Sequence, residues 1–113
     1  MDISSIKISK EIKSGMKLNK PIVALESTLI SHGLPYPENI NVALSSIEAV
    51  KKNGSIPATI GIINGKIKVG LNKKDINILG KSKNTHKISK HNLPLAINNK
   101  YNAGTTIASS IYI

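Results

Sequence analysis

The apolar positions of this 113-residue chain change period several times, and each change predicts an element. Residues 3–8 alternate loosely between apolar and polar, as a short edge strand or an extended arm would. From Ser9 the spacing widens to i, i+4. Ser9 can cap a short helix through about Lys17, with Ile12 and Met16 on one face. The Lys-Asn-Lys-Pro stretch breaks it, and Pro21 opens a continuous apolar run, Ile22–Leu25, predicted as a buried strand. Leu34-Pro35-Tyr36-Pro37 holds two prolines and is therefore a turn. Pro37 suits the first position of a helix, with Glu38 in its first turn favouring the dipole. Ile40, Ala43, Leu44, Ile47 and Val50 form a 3.6-residue stripe, ended by Asn53-Gly54.

The second half shifts back to strand signals. Ile56–Ile63 reads as a second buried strand, with an irregular start at Pro57. Asn64-Gly65 is a strong hairpin dipeptide, so Lys66–Gly70 is predicted to return antiparallel, alternating as a half-solvated strand does. Asn72, with Asp75 three residues on, starts a short helix carrying Ile76 and Leu79 and closed by Gly80. Thr85–Ile88 reads as another strand. Ser89 then caps a helix from about Lys90 to Asn99, with Leu93 and Ile97 inward and Pro94 awkwardly placed. Residues 102–110 read as a glycine turn feeding a new helix N-terminus. Strands alternating with helices predict an α/β fold, and the Asn-Gly hairpin makes its sheet mixed. The sequence stops at Ile111-Tyr112-Ile113, inside an apolar element, so 1–113 reads as the incomplete N-terminal segment of one domain. Such a chain is expected to aggregate or assemble when isolated.

One interruption of the pattern points to chemistry. The apolar run through Leu25 ends on Glu26, and three hydroxyls, His32 and Gly33 follow within seven residues. In open α/β sheets, ligands sit beyond the carboxyl ends of the strands. Proton transfer needs a carboxyl group drawn toward neutrality by burial, and an acid among apolar neighbours at a strand end suits that role. The alternative is an acid that caps a nearby helix. Lys87, just past a strand, could meet a phosphate or a ribose hydroxyl, or be an ordinary surface lysine. Thr105 and Thr106 could offer backbone N–H groups to a phosphate, or only cap a helix. Ser27, Ser31, His32 and Asp75 do not make a hydrolase triad, because no nucleophile-elbow pattern surrounds either serine. Three scattered histidines lack metal-site spacing, so no metal ligands are assigned. Gly61, Gly65 and Gly70 form no phosphate-binding fingerprint.

Composition adds limits. The net charge of +10 comes from 16 basic residues, all lysine, spread over every segment. Without arginine for bidentate contacts, and with three tyrosines to stack on bases, nucleic acid is not the expected partner. The field would favour an anionic small substrate. No cysteine is present, no stretch is long and apolar enough to span a membrane, and no signal-peptide core opens the chain. A cytoplasmic protein is the default expectation.

Val23-Ala24-Leu25-Glu26-Ser27-Thr28-Leu29-Ile30-Ser31-His32-Gly33 resembles the signature of the pseudouridine-5′-phosphate glycosidases, the indigoidine synthase A family. Leu34–Asn39, Pro57–Gly65, Val69-Gly70-Leu71, Lys87-Ile88-Ser89, Leu93-Pro94 and Thr105–Ser109 resemble it in the same order. The likeness covers roughly the first third of a complete family member. It implies an α/β/α layered fold, usually a homotrimer, that reversibly cleaves the C–C glycosidic bond of pseudouridine 5′-phosphate. The products are uracil and ribose 5-phosphate. It also implies a lysine imine on the ring-opened sugar, a glutamate that handles protons, and a manganese ion held by an aspartate and waters. Glu26 matches that glutamate. Lys87 matches a substrate-contacting lysine, Ile107 falls on a further substrate contact, and Thr106 lies in the same motif. The imine-forming lysine and the metal-binding aspartate belong to segments beyond residue 113, so the enzyme is expected to be either clipped here or working with a separate C-terminal chain. The alternative is an inactive remnant with at most a binding or assembly role. Two places depart from the family pattern: Lys90-His91-Asn92 replaces two arginines and an aspartate, and Ala103-Gly104 reverses a Gly-Ala pair.

Overall fold

The computed structural model describes residues 6–81, 86–88, 93–106 and 110. For His86–Ile88, Leu93 and Leu95 it describes the backbone alone. The strands are β1 (Ile6–Ile8), β2 (Ile22–Leu25), β3 (Ile56–Ile63), β4 (Lys66–Val69), β5 (His86–Ile88) and β6 (Ala103–Thr105). The helices are α1 (Lys10–Lys17), α2 (Glu38–Lys52), α3 (Lys73–Lys81) and α4 (Leu93–Asn98), with one π-helical turn at Leu29–Gly33. The strands join in one mixed sheet of order β1-β4-β3-β6-β5, with β2 also on β3. β1–β4, β2–β3 and β5–β6 run parallel, while β4 and β6 run antiparallel to β3.

β3 is the strand on which the sheet is assembled. β2 pairs with its first half, Ile22 opposite Ile56 through Leu25 opposite Thr59. β6 takes its second half, Gly61 opposite Gly104 and Ile62 opposite Ala103. Strand alternation gives the sheet two apolar faces. On one, Ile6, Ile67, Ile62 and Ala103 line up across four strands and meet Ala96 and Ile97 of α4. On the other, Ile63 and Leu71 pack with Ile40 and Ala43 of α2, Ile76 and Leu79 of α3, and Ile30 of the π turn. Helices on both faces of a mixed sheet are the α/β layering expected.

The local signals work as anticipated at several joints. Ser9 caps α1, its Oγ accepting from Ile12 N at 3.3 Å. Asn64 and Gly65 take φ of 49° and 76°, the left-handed pair that a two-residue hairpin turn needs. Asn72 and Asp75 cap α3 reciprocally: Asp75 N donates to Asn72 Oδ1 at 2.8 Å and Asn72 N to Asp75 Oδ2 at 3.2 Å. Pro94 falls in the first turn of α4, where a missing N–H costs nothing. Pro37 precedes α2 and follows a cis peptide bond from Tyr36.

Four expectations need correcting. β2 is not buried: Val23 is 38% exposed, because among the described residues β2 pairs only with β3. On α1 the inner face is Ile12 and Gly15, while Met16 is 57% exposed. The helix lies so close to Ile56 of β3 that a Cβ at Gly15 would collide with its Cδ1. Gly80 does not end α3, which runs on to Lys81. It lets α3 cross α2, since a Cβ there would lie 2.5 Å from Ile40 Cγ1. Finally, residues 103–105 are a strand, and a helical hydrogen bond, Ser110 N to Thr106 O at 2.9 Å, comes only after it. The predicted starts at residues 3–5, Thr85 and Ser89–Asn92, and the apolar end 111–113, lie outside the described residues.

The lysines are less evenly placed than the sequence suggests. Lys7 of β1 stands opposite Lys68 of β4. Repulsion from Lys66, and a hydrogen bond with it, push the Lys7 amine below the usual lysine range. Asp75 answers Lys68 alone, at 3.0 Å. Among the described residues no helix is long and apolar enough to cross a membrane.

Gly54 and Gly65 separate backbone strain from crowding. Both have positive φ, but a Cβ at Gly54 meets nothing within 4 Å, whereas at Gly65 it would lie 2.6 Å from Lys100 Cα. Gly54→Ala should cost about 1–2 kcal/mol. Gly65→Ala should cost more, because the chain after α4 must also move. Urea unfolding of both variants measures the difference, and equal losses would contradict the crowding.

Candidate active site

The polar run after β2 folds back on the sheet through hydroxyl groups. Ser27 is fully buried, and its Oγ donates to Ile60 O of β3 at 2.5 Å. Thr105 Oγ1, at the end of β6, donates to the same carbonyl at 2.7 Å. Two backbone links close the arrangement: Ser27 N donates to Thr105 O at 3.0 Å, and Thr105 N donates to Ser27 Oγ at 2.8 Å. Since each hydroxyl has one proton and gives it to Ile60, their 3.4 Å approach is no hydrogen bond between them. Ser110 Oγ, 2.9 Å from Thr105 Oγ1, must then be the donor of that pair.

This pin sets Glu26. The residue is half-buried at the end of β2, and its carboxylate reaches forward over the π turn. Thr28 N donates to Oε2 at 2.9 Å and Leu29 N to Oε1 at 3.4 Å. The capping alternative is therefore realised, and the same two bonds fix the orientation of the acid. Ile30 N and Ser31 N turn instead to Ser27 O, at 3.1 and 3.3 Å. Asn39, buried at the start of α2, ties the turn to α3, donating to Ile30 O and Gly80 O at 2.9 Å each. Nothing in its sequence setting marks Asn39 for this, since an asparagine in a first helical turn reads as surface.

The other candidates fall around the same corner. The carboxyl ends of β2 and β6 meet at Ser27 and Thr105, and β5 runs parallel beside β6, with Lys87 opposite Gly104. Gly104 must lack a side chain, because a Cβ there would lie 2.7 Å from Ser27 O and closer still to Ser31 Oγ. The reversed Ala103-Gly104 pair thus suits this packing, with Ala103 fully buried in the core. Thr106 follows β6 directly and is half-buried. Ile107 and Lys90-His91-Asn92 lie outside the described residues, as does the side chain of Lys87.

His32 is exposed and shares a 2.8 Å hydrogen bond with Ser31 Oγ. Asp75 is committed to Lys68 and to the cap of α3. Among the described residues no three His, Asp or Glu side chains gather into a cluster that could hold a metal. The hollow beside Glu26 is about 110 Å³, lined by Leu25, Leu29, Ile30, Ala43, Ser46 and Thr59. That is well below the roughly 300–1,000 Å³ of a typical small-molecule site. A larger cleft of about 570 Å³ lies between the starts of α1 and α3 and the side of α2, and contains none of the candidate residues.

Residues 11–113 match the model of the family described as indigoidine synthase A like protein. The chain belongs to that family. It is 48% identical over 106 residues to a pseudouridine-5′-phosphate glycosidase of Caldanaerobacter subterraneus subsp. tengcongensis, covering 94% of this chain and 34% of that protein. To the Escherichia coli protein of the same name it is 45% identical over 109 residues, covering 96% and 35%. Among solved structures it resembles the prealnumycin C-glycosynthase AlnA in complex with ribulose 5-phosphate, at 34% identity and a TM-score of 0.81, covering 95% and 34%. It also resembles an indigoidine synthase A-like protein of Thermotoga maritima, at 28% identity and a TM-score of 0.82, covering 99% and 37%. The chain spans about a third of the length of these relatives. In this indigoidine synthase A-like chain, then, the family fold and the strand-end acid occur together.

The shared carbonyl gives a test of the pin. Ser27→Ala should lose about 1–3 kcal/mol, since Thr105 N is left buried without its acceptor. Ser27→Ala combined with Thr105→Val should lose more than the two single losses added, because Ile60 O then keeps neither hydroxyl. Simple additivity in denaturant titrations would show that the two hydroxyls do not act as a unit.

Proposed function

We propose that this chain carries the proton-handling part of a pseudouridine-5′-phosphate glycosidase. The reaction is the reversible cleavage of the C–C glycosidic bond to uracil and ribose 5-phosphate. In this reading Glu26 gives a proton to the departing base and takes one in the reverse direction. Lys87, Thr106 and Ile107 contact the substrate, and a lysine elsewhere forms the imine with the opened sugar. The observation that supports it most is the fixed carboxylate of Glu26, at the corner where the carboxyl ends of β2 and β6 meet beside β5. An acid held in one orientation before the substrate arrives avoids reorganisation at the moment of proton transfer. The lysine-rich surface would draw in an anionic nucleotide.

A hollow of about 110 Å³ cannot enclose a nucleotide, so the reading includes an assembly. We propose that the imine-forming lysine, the manganese ligands and the rest of the wall come from a segment or chain outside residues 1–113, and that the whole assembles as a homotrimer. Pseudouridine 5′-phosphate and manganese should give no uracil with this chain alone. Uracil should appear when the part of the Caldanaerobacter relative that this chain does not span is added. Glu26→Gln should then lower its release about 100- to 10,000-fold. Turnover by the chain alone would overturn the need for a second contributor. A stable mixed complex that releases no uracil would favour the inactive remnant.

A further inference from the structure

The cleft of about 570 Å³ between the starts of α1 and α3 and the side of α2 takes no part in placing Glu26, yet it is lined with polar groups that the fold leaves unused. Thr59 of β3 is 4% exposed, and its carbonyl accepts from Gly70 N and Leu71 N at 2.9 Å each. Its hydroxyl takes part in no hydrogen bond. Unlike the Thr28 hydroxyl it is not sealed in protein, since Thr59 lines both this cleft and the hollow beside Glu26. An unpaired hydroxyl at a site this buried costs stability, and valine would suit a strand equally well.

Two further donors share the cleft. Ser9 and Asn72, the caps of α1 and α3, both line it. Ser9 Oγ accepts from Ile12 N and keeps its own proton free. Asn72 accepts from Asp75 N through Oδ1, and its side-chain NH2 is unused. Gly70 brings these groups together, because its N bonds to Thr59 O and a Cβ on it would lie 2.6 Å from Ser9 Oγ. The positive ends of two helices therefore meet where the free donors are. The same cleft carries Glu11, Glu48, Lys51 and Lys73, and none of the four is in an ion pair. Leu44, Ile47 and Ile76 supply an apolar wall.

We propose that this cleft binds a free amino acid with an aliphatic side chain. The carboxylate accepts from Ser9, Thr59 and Asn72 at the helix starts, with Lys73 beside it. The ammonium group meets Glu11 and Glu48, and the side chain lies on the apolar wall. A simple anion would leave two carboxylates unanswered, and a simple cation would oppose two lysines and two helix starts. A zwitterion uses charges of both signs. The volume lies within the range of small-molecule sites. None of this depends on the glycosidase reading.

Calorimetric titration of the 113-residue chain with L-leucine tests the proposal. Leucine should bind saturably. Isocaproate, which lacks the ammonium group, and isoamylamine, which lacks the carboxylate, should each bind about tenfold more weakly. Thr59→Val should weaken leucine about tenfold, while Thr59→Ser keeps its affinity. Glu48→Gln should weaken leucine but leave isocaproate unchanged. Without ligand, Thr59→Val should melt at or above the wild-type temperature. Absence of saturable leucine binding would overturn the site, and isocaproate binding as tightly as leucine would overturn the zwitterion. A Thr59→Val variant that binds leucine like the wild type, or melts lower and is restored by Thr59→Ser, would show the hydroxyl to be structural.

Discussion

The Ile60 carbonyl is the point on which this architecture turns. β2 and β6 pair with successive halves of β3, and both are short, of four and three residues. Two buried hydroxyls converging on one carbonyl join those ends, and the backbone bonds between Ser27 and Thr105 make the joint cyclic. A donor pair sharing an acceptor is specific in a way that apolar packing is not. Sliding either strand by one residue would turn its hydroxyl to the other face and leave polar groups buried and unpaired. Gly104 completes the constraint, since only a residue without a side chain lets β6 approach the turn this closely.

Glu26 inherits its geometry from that joint. Ser27 is immobilised from both sides, so the chain before and after it has little freedom, and the carboxylate meets the amides of Thr28 and Leu29. The reading of Glu26 as a functional acid and its reading as a cap are compatible. The cap is the means by which an acid at a strand end is aimed. Buried Asn39 holds the turn in the same way, bonding to two backbone carbonyls and, through Oδ1, accepting from Ile40 N.

How far the sequence disclosed this depends on the range of each cause. The Asn64-Gly65 hairpin, the Asn72/Asp75 box and the stripe of α2 are legible because neighbouring residues determine them. Glu26 stood out as a polar break in an apolar run. Residues 103–105 read as a turn in the sequence because three short residues make a strand only when β3 and β5 flank them. Gly80 looked like a helix end because its cause, Ile40, lies in another helix. The exposure of β2 was hidden for the same reason, since an edge is defined by neighbours. That the Thr28 hydroxyl is buried without a partner could not be seen at all, as it follows from where four amides point.

These ranges bear on what a chain one-third the length of its relatives can hold. Every group that aims Glu26 lies within this chain, at Ser27, Thr28, Leu29, Ile60, Gly104 and Thr105. The orientation of the acid is therefore a property of this part of the fold. Enclosure is different. A nucleotide needs walls around it, and among the described residues the hollow beside Glu26 is bounded by β2, β3, α2 and the π turn. Aim without enclosure leaves the carboxylate open to water, where a positioned acid gains little over solvent. Among the described residues, then, the angle of the acid is set locally by short-range bonds, while the volume around it is a separate matter that those bonds do not determine.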